Sequence, residues 1–397
     1  MAGPDRQGQA QPGPSAGTRL AVARCAARAG GAMTGRLAAA HGSPSRTLVL
    51  PAKDFADGAR DPERLLAELG RVREDLVRAG LREITKIALI GPSSRPGHQL
   101  DYRFVQVLPG TDPGFELRGS CGHSILAACS VAGRSGELPP LRTGQRIRVN
   151  VLNNGDSVEC AVEETGGDRE RLSASFLLSP AIPLRDLLLF GSPVTELPYR
   201  GGTVEVTGAS MGNPYVFVRA ADFGVRGPDE LFAAGEALFA ALSEVRRTAQ
   251  AALGWPPGVF PKIAALLPLG PGRLAARAIS VPSWHPTLAL TGAVCLAAAA
   301  RVPGSLPRQL AGADGADWVD GADGTDGGEQ PLRVRTPGRW ASVTARTAPL
   351  APLAPAERNV RPGHPAPEQA LTEVGVRGTT VSYLGPVRLP ATTASRA

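Results

Sequence analysis

A cysteine that must lose its proton near neutral pH needs positive potential around it. The start of a helix supplies this through free N–H groups and the positive end of the helix dipole. The stretch Ser120-Cys121-Gly122-His123-Ser124-Ile125-Leu126-Ala127-Ala128-Cys129 opens with small polar residues and runs on into an apolar segment, which puts Cys121 at a predicted helix N-terminus. Gly119 and Gly122 flank it and let backbone amides approach a ligand. One element can then hold a carboxylate and lower a thiol pKa together. Ser120, Gly122 and His123 become candidate substrate contacts around the candidate base Cys121. On these residues alone, a small cysteine buried at a helix start is the favoured reading.

The surroundings narrow the chemistry. Cys25, Cys129, Cys160 and Cys295 are widely spaced and lack the close Cys and His pairings of zinc sites, so neither a metal nor a disulfide framework is expected. Cys129 and Cys295 fall inside apolar helical segments and read as core. The net charge of +7 comes from scattered arginines with only 5% aromatic residues, which argues against a nucleic-acid partner. No apolar run reaches the ~18 residues a membrane helix needs. Arg19, Arg24 and Arg28 break the N-terminal apolar stretch, so no signal peptide is expected and the cytoplasm is the expected location.

The elements that must position Cys121 come from mixed periodicities over a chain of 397 residues. Strands are predicted at 47–50, 86–90 and 102–107, a helix at 62–79, and a hairpin from 146–152 and 157–162 around Asn153-Asn154-Gly155-Asp156. The second half repeats the plan with strands at 202–207, 215–219 and 262–267, one long helix over 228–253, and a polar loop leading into an apolar helix within 283–300. The predicted domains are residues 33–190 and 191–390, with a site between them. Residues 1–32 read as a disordered extension, 305–330 and 348–369 as mobile insertions, and 391–397 as a tail.

Two further blocks point to a family. Asp101-Tyr102-Arg103-Phe104-Val105-Gln106-Val107, followed by Gly119-Ser120-Cys121-Gly122-His123, resembles the PrpF family of methylaconitate isomerases, in which an Asp-Tyr-x-Phe-x-Gln-Val strand precedes Gly-Asn-Cys-Gly-Asn. Lys86-Ile87-Ala88-Leu89-Ile90-Gly91-Pro92-Ser93-Ser94-Arg95-Pro96 is similar to the family block that carries a catalytic lysine and ends in Ser-Ser-Arg-Pro, which puts Lys86 on that lysine. The likeness continues through Met211-Gly212-Asn213-Pro214, Pro261-Lys262, Trp284-His285 and Thr291-Gly292-Ala293-Val294, and it returns at Arg377 and 384–390.

The resemblance implies an α+β, diaminopimelate-epimerase-like fold, with two pseudo-symmetric β-barrel-like domains each around a central helix. It implies an isomerase without cofactor or metal that moves a proton on a small unsaturated carboxylate, by double-bond shift or cis–trans isomerisation, with Cys121 and Lys86 as the catalytic pair. The implied substrate contacts are Gly42, Ser43, Ser45 and Arg46 in the turn after the first strand, Asn153 in the hairpin turn, then Met211, Gly212, Asn213, His285, Thr291, Gly292 and Arg377. No membrane partner is implied, and a homodimer is one open arrangement.

The likeness has gaps. Residues 41–47 keep only part of the family's Arg-Gly-Gly-Thr-Ser-Lys-Gly turn, His123 stands where the family has Asn, and family Lys, His and Arg positions are Ser283, Thr336 and Thr380. The turn at Ala289-Leu290 lacks the second cysteine of the related epimerases, which argues against inversion by two thiols. A changed, less charged substrate in a specialised biosynthetic pathway is the expectation. A non-catalytic binding protein that kept the fold is the alternative.

Overall fold

The computed structural model describes residues 33–58, 60–108, 114–117, 119–281, 283–312, 331–350 and 368–389; the expected N-terminal extension and tail lie outside them. The first half runs β1 (Met33–Ala40), β2 (Thr47–Pro51), α1 (Pro62–Arg78), β3 (Lys86–Pro92), β4 (Leu100–Val107), β5 (Phe115–Glu116), α2 (Gly122–Ser135), β6 (Arg146–Val151), β7 (Ser157–Gly166) and β8 (Arg169–Pro183). The second runs β9 (Thr195–Tyr199), β10 (Gly202–Met211), β11 (Asn213–Arg219), α3 (Pro228–Ala233), α4 (Glu236–Ala252), β12 (Lys262–Pro268), β13 (Arg273–Ser280) and β14 (Ser283–Trp284). It ends with α5 (Leu290–Ala299), α6 (Leu306–Leu310), β15 (Leu332–Thr336), β16 (Arg339–Pro349) and β17 (Gln369–Leu389).

Two kinds of helix follow from two kinds of pattern. In α1, Leu65, Leu69, Val72 and Leu76 form a single apolar stripe that packs on β2 and β3, and Asp61 caps the helix by accepting from the Arg64 amide at 3.1 Å. By contrast, α2 from Gly122 to Ala132 and the whole of α5 are buried on every side, as helices without a polar face must be. Both belong to one continuous core that draws strands from each half.

Each half repeats one sheet pattern around its buried helix. β1–β2 is antiparallel, β2–β3 parallel, β3–β4 antiparallel, β4–β6 parallel, and β6–β7 and β7–β8 antiparallel. β10–β11, β11–β12, β12–β13, β13–β15, β15–β16 and β16–β17 follow the same sequence of directions. β17 then leaves its own half to pair with β8 and with β1. The chain after β8 makes the reciprocal contact in one bridge, Leu188 to Ala209 on β10.

Three expectations need correction. The helix predicted over 228–253 is two, α3 and α4, parted at Ala234-Gly235, with Gly235 as the residue before α4. The segment expected to be mobile from 305 starts as an ordered turn of helix: Ser305 accepts from the Arg308 amide at 3.2 Å, and Leu306 and Pro307 are buried in α6. The Gly/Ala/Asp composition further on had masked this apolar anchor, and 313–330 lie outside the described residues. Likewise Ala348 and Pro349 are the end of β16, paired with Ala370 and Gln369 of β17.

Candidate active site

Cys121 caps α2 with extended backbone (φ −138°, ψ 104°), so its side chain sits at the mouth of the buried helix. Lys86 is the first residue of β3 and pairs with Thr47 across parallel strands, which points the buried lysine along the same mouth. Its Nζ lies 3.4 Å from Cys121 Sγ and donates to Ser43 Oγ at 2.8 Å. Burial alone would raise the thiol pKa. The Lys86 ammonium and the hydroxyl and amide of Ser124 outweigh it and hold the thiol below its ordinary value. The Tyr102 hydroxyl donates to the Cys121 carbonyl at 3.4 Å and keeps the turn in place.

The turn between β1 and β2 is held from both halves. Gly42 bends at φ +89°, and the Arg339 guanidinium and Thr287 hydroxyl occupy the space a side chain would need. Thr287 Oγ1 donates to Gly42 O at 3.0 Å and Arg339 donates to His41 O. Within the turn, Ser43 Oγ donates to Ser45 O at 2.8 Å and Ser45 Oγ accepts from the Thr85 amide at 3.2 Å. The second half thus fixes the loop that orients Lys86.

The imidazoles here are neutral. His123 is buried, and desolvation first, then Lys86, Arg339, His285 and His41, pushes it well below the ordinary histidine range. Desolvation and the lysines Lys262 and Lys86 lower His285 to about 3. His285 Nδ1 accepts from the Thr287 amide at 3.1 Å, so the neutral ring carries its proton on Nε2. Both rings can donate a hydrogen bond without adding charge.

Lys262, known to the sequence reading only as part of a matching dipeptide, opens β12 as Lys86 opens β3. Burial lowers its pKa, the Cys121 charge raises it and Lys86 lowers it again, so the two ammonium groups and the thiol are coupled electrostatically. Arg339, the first residue of β16, carried no sequence signal.

Other candidates are placed differently. Met211, Gly212, Asn213 and Thr291 line a chamber between the halves together with Gly119 and Ser120, and Asn213 Nδ2 donates to Thr291 Oγ1 at 3.0 Å. Gly122 and Gly292 are packing residues: Leu290 lies where a Gly122 side chain would go, and the Tyr215 hydroxyl where a Gly292 side chain would. Asn153 was expected to touch substrate, but it exchanges hydrogen bonds with both backbone groups of Phe104 (2.7 and 2.8 Å) and donates to Leu117 O, so its amide is spent on holding the loop before α2. Arg46 pairs with Glu83 at the surface. Arg377 is exposed on β17 opposite Ser342, unlike the buried Lys86 and His285.

No family model matches the chain. It is 24% identical over 273 residues to 3-methylitaconate isomerase of Eubacterium barkeri, covering 58% of this chain and 72% of that one. It is also 24% identical over 291 residues to YbhH of Escherichia coli (strain K12), named as a candidate isomerase, covering 68% and 83%. Among solved structures it is similar to a methylitaconate-delta-isomerase, with TM-score 0.61, 19% identity and coverage of 91% and 96%. A hydroxyproline epimerase from Agrobacterium vitis with bound trans-4-hydroxy-L-proline gives TM-score 0.52, 13% identity and coverage of 91% and 93%. The repeated sheet, the buried helix in each half and these likenesses together show that the chain has the fold of these isomerases and epimerases, two similar halves each built of strands around a buried helix.

Proposed function

We propose that the protein is a cofactor-independent isomerase that transfers a proton between two carbons of a small unsaturated carboxylate. The observation that carries this is the 3.4 Å contact between Lys86 Nζ and Cys121 Sγ at the N-terminus of α2, in the groove where the halves meet. A carbon-bound hydrogen α or γ to a carboxylate is a weak acid, so fixed donors must stabilise the enolate-like intermediate. Here those donors are the first-turn amides of α2 and the ammonium groups of Lys86 and Lys262.

The step balances without an outside reagent. The Cys121 thiolate takes the proton from carbon, and the electron pair spreads over the carboxylate and the double bond. The Lys86 ammonium then gives a proton to the other carbon, after which the Cys121 thiol returns its proton to the Lys86 amine. Lys262, from the second half, holds the substrate carboxylate so that Lys86 is free to move a proton. No observation favours the non-catalytic alternative. The buried free thiols Cys129, Cys160 and Cys295 suit a reducing compartment, and we place the enzyme in the cytoplasm.

The test is deuterium uptake from D2O into a panel of unsaturated carboxylates, followed by NMR. Uptake by the wild type that falls by about 10²–10⁴ in both Cys121→Ser and Lys86→Met, with circular dichroism unchanged, supports the reading. Full activity in both variants would end it.

A further inference from the structure

A thiolate and an ammonium held side by side suit a second reaction besides proton transfer. Among the described residues Cys121 is the one cysteine that is half-buried, whereas Cys129, Cys160 and Cys295 are fully buried. Its Sγ lies 3.4 Å from Lys86 Nζ, and that lysine is fixed in turn by Ser43 Oγ at 2.8 Å. Ser120, the residue before the thiol, lines the chamber of about 290 Å³ between the halves. Its Oγ is buried and, among the described residues, has no hydrogen-bond partner, which leaves room beside Cys121 for a ligand with a polar atom.

We propose that Cys121 also adds to the double bond of α,β-unsaturated carboxylates whose β-carbon is unsubstituted, so that such acids are captured in this site as thioethers. This rests on the reading of Cys121 and Lys86 as the acid/base pair. The Cys121 sulfur bonds to the β-carbon, and the π pair moves onto the α-carbon and its carboxylate. The Lys86 ammonium then gives a proton to the α-carbon. The sulfur is left as a neutral thioether and Lys86 as a neutral amine, so atoms and charge balance without an outside reagent.

A conjugated carboxylate is a poor electrophile in water, because its own charge opposes the enolate-like charge that addition creates. Fixed positive groups remove that handicap. Lys86 and Lys262 are both coupled electrostatically to the thiol, and the first-turn amides of α2 follow it directly in the chain. The acid therefore reacts better here than its ester, the reverse of the order for a free thiol. Substituents on the β-carbon keep the sulfur off it, and the same pair of groups then moves a proton instead.

The experiment uses the full chain carrying Cys25→Ser, since Cys25 lies outside the described residues. Methacrylate and methyl methacrylate are the probes, glutathione is the reference thiol, and intact-protein and peptide masses are the readout. The expected result is a single methacrylate adduct on Cys121, with an acid-to-ester rate ratio about tenfold or more above that of glutathione. Cys121→Ser should carry no adduct. Lys262→Met should lower the ratio by about tenfold, chiefly by slowing the acid. Should Lys262→Met lose its melting transition, the ratio in the parent chain alone decides. A site that prefers the ester as glutathione does, or an adduct that forms only on other cysteines, overturns the proposal. An acid-preferring adduct on Cys121, with no deuterium uptake by any unsaturated carboxylate, would overturn the isomerase reading and leave the addition standing. Uptake without any adduct would do the reverse.

Discussion

Lys86 and Lys262 occupy one position of a repeated motif. Each opens a strand that runs parallel to its neighbour, Lys86 opposite Thr47 and Lys262 opposite Tyr215, and both act electrostatically on the single thiol Cys121. The cysteine position has not been duplicated in the same way, since the residue capping α5 is Ala289. Two cations thus serve one thiol, and they should divide the work.

Lys262→Met should raise KM for the carboxylate by about 10–100-fold, the worth of one charge-assisted hydrogen bond, with a smaller loss in kcat. Lys86→Met should chiefly reduce kcat. Steady-state kinetics on any compound that takes up deuterium separates the two. Equal kcat losses with KM unchanged in both variants would reject the division.

The thiol itself can be titrated by its rate of alkylation with iodoacetamide. Because Lys86 and Ser124 hold Cys121 below the ordinary thiol value, the reactive thiolate should persist at lower pH than in a free cysteine, and Lys86→Met should move the midpoint upward. A lowered folded-state pKa means the group stabilises the fold above the unfolded thiol value. That contribution is lost as pH falls through the folded value. An identical midpoint with and without the lysine would remove the ammonium from the account.

Acid should unfold the protein partly through His285. Its folded value is about 3 against an ordinary 6.5, so between these the unfolded chain binds a proton that the folded chain refuses. Stability therefore rises with pH across that window, by up to about 1.4 kcal/mol per pH unit for one proton, and is lost as pH falls through it. His285→Gln should flatten the dependence of the urea midpoint on pH between about 6 and 4. A slope equal to that of the wild type would show that His285 is protonated in the fold.

Gly122→Ala tests the close approach of the two buried helices. The added carbon would collide with Leu290 at the start of α5, and overpacking of this kind costs about 1–3 kcal/mol. Leu290→Ala in the same chain should recover part of that, giving a coupling of about 0.5 kcal/mol or more in a double-mutant cycle. Strict additivity in thermal melts would mean the helices can shift apart.

Much of this arrangement could be read from residue order. Small polar residues ahead of an apolar run located the Cys121 turn, and the strands at Lys86 and Tyr102 fell where the sheet has them. What escaped was mostly long-range. Lys262 needed the internal repeat to be aligned strand by strand, and Arg339 meets His41 across a separation of 298 positions. Asn153 looked available as a turn residue, yet a strand 49 positions earlier consumes its amide. Composition misled at Ser305, where one capped apolar turn precedes a Gly- and Asp-rich stretch.

The pairing of β17 with β1 and β8 orders events during synthesis. The first lobe ends at Pro183, well over a hundred residues before Gln369 opens the strand that seals its edge, so its open sheet margin must wait for translation to finish. Contacts this distant in sequence slow folding and leave unpaired edges exposed to aggregation in the meantime. A chain stopped before Gln369 should therefore accumulate as insoluble material even though every residue of the Cys121 turn is present.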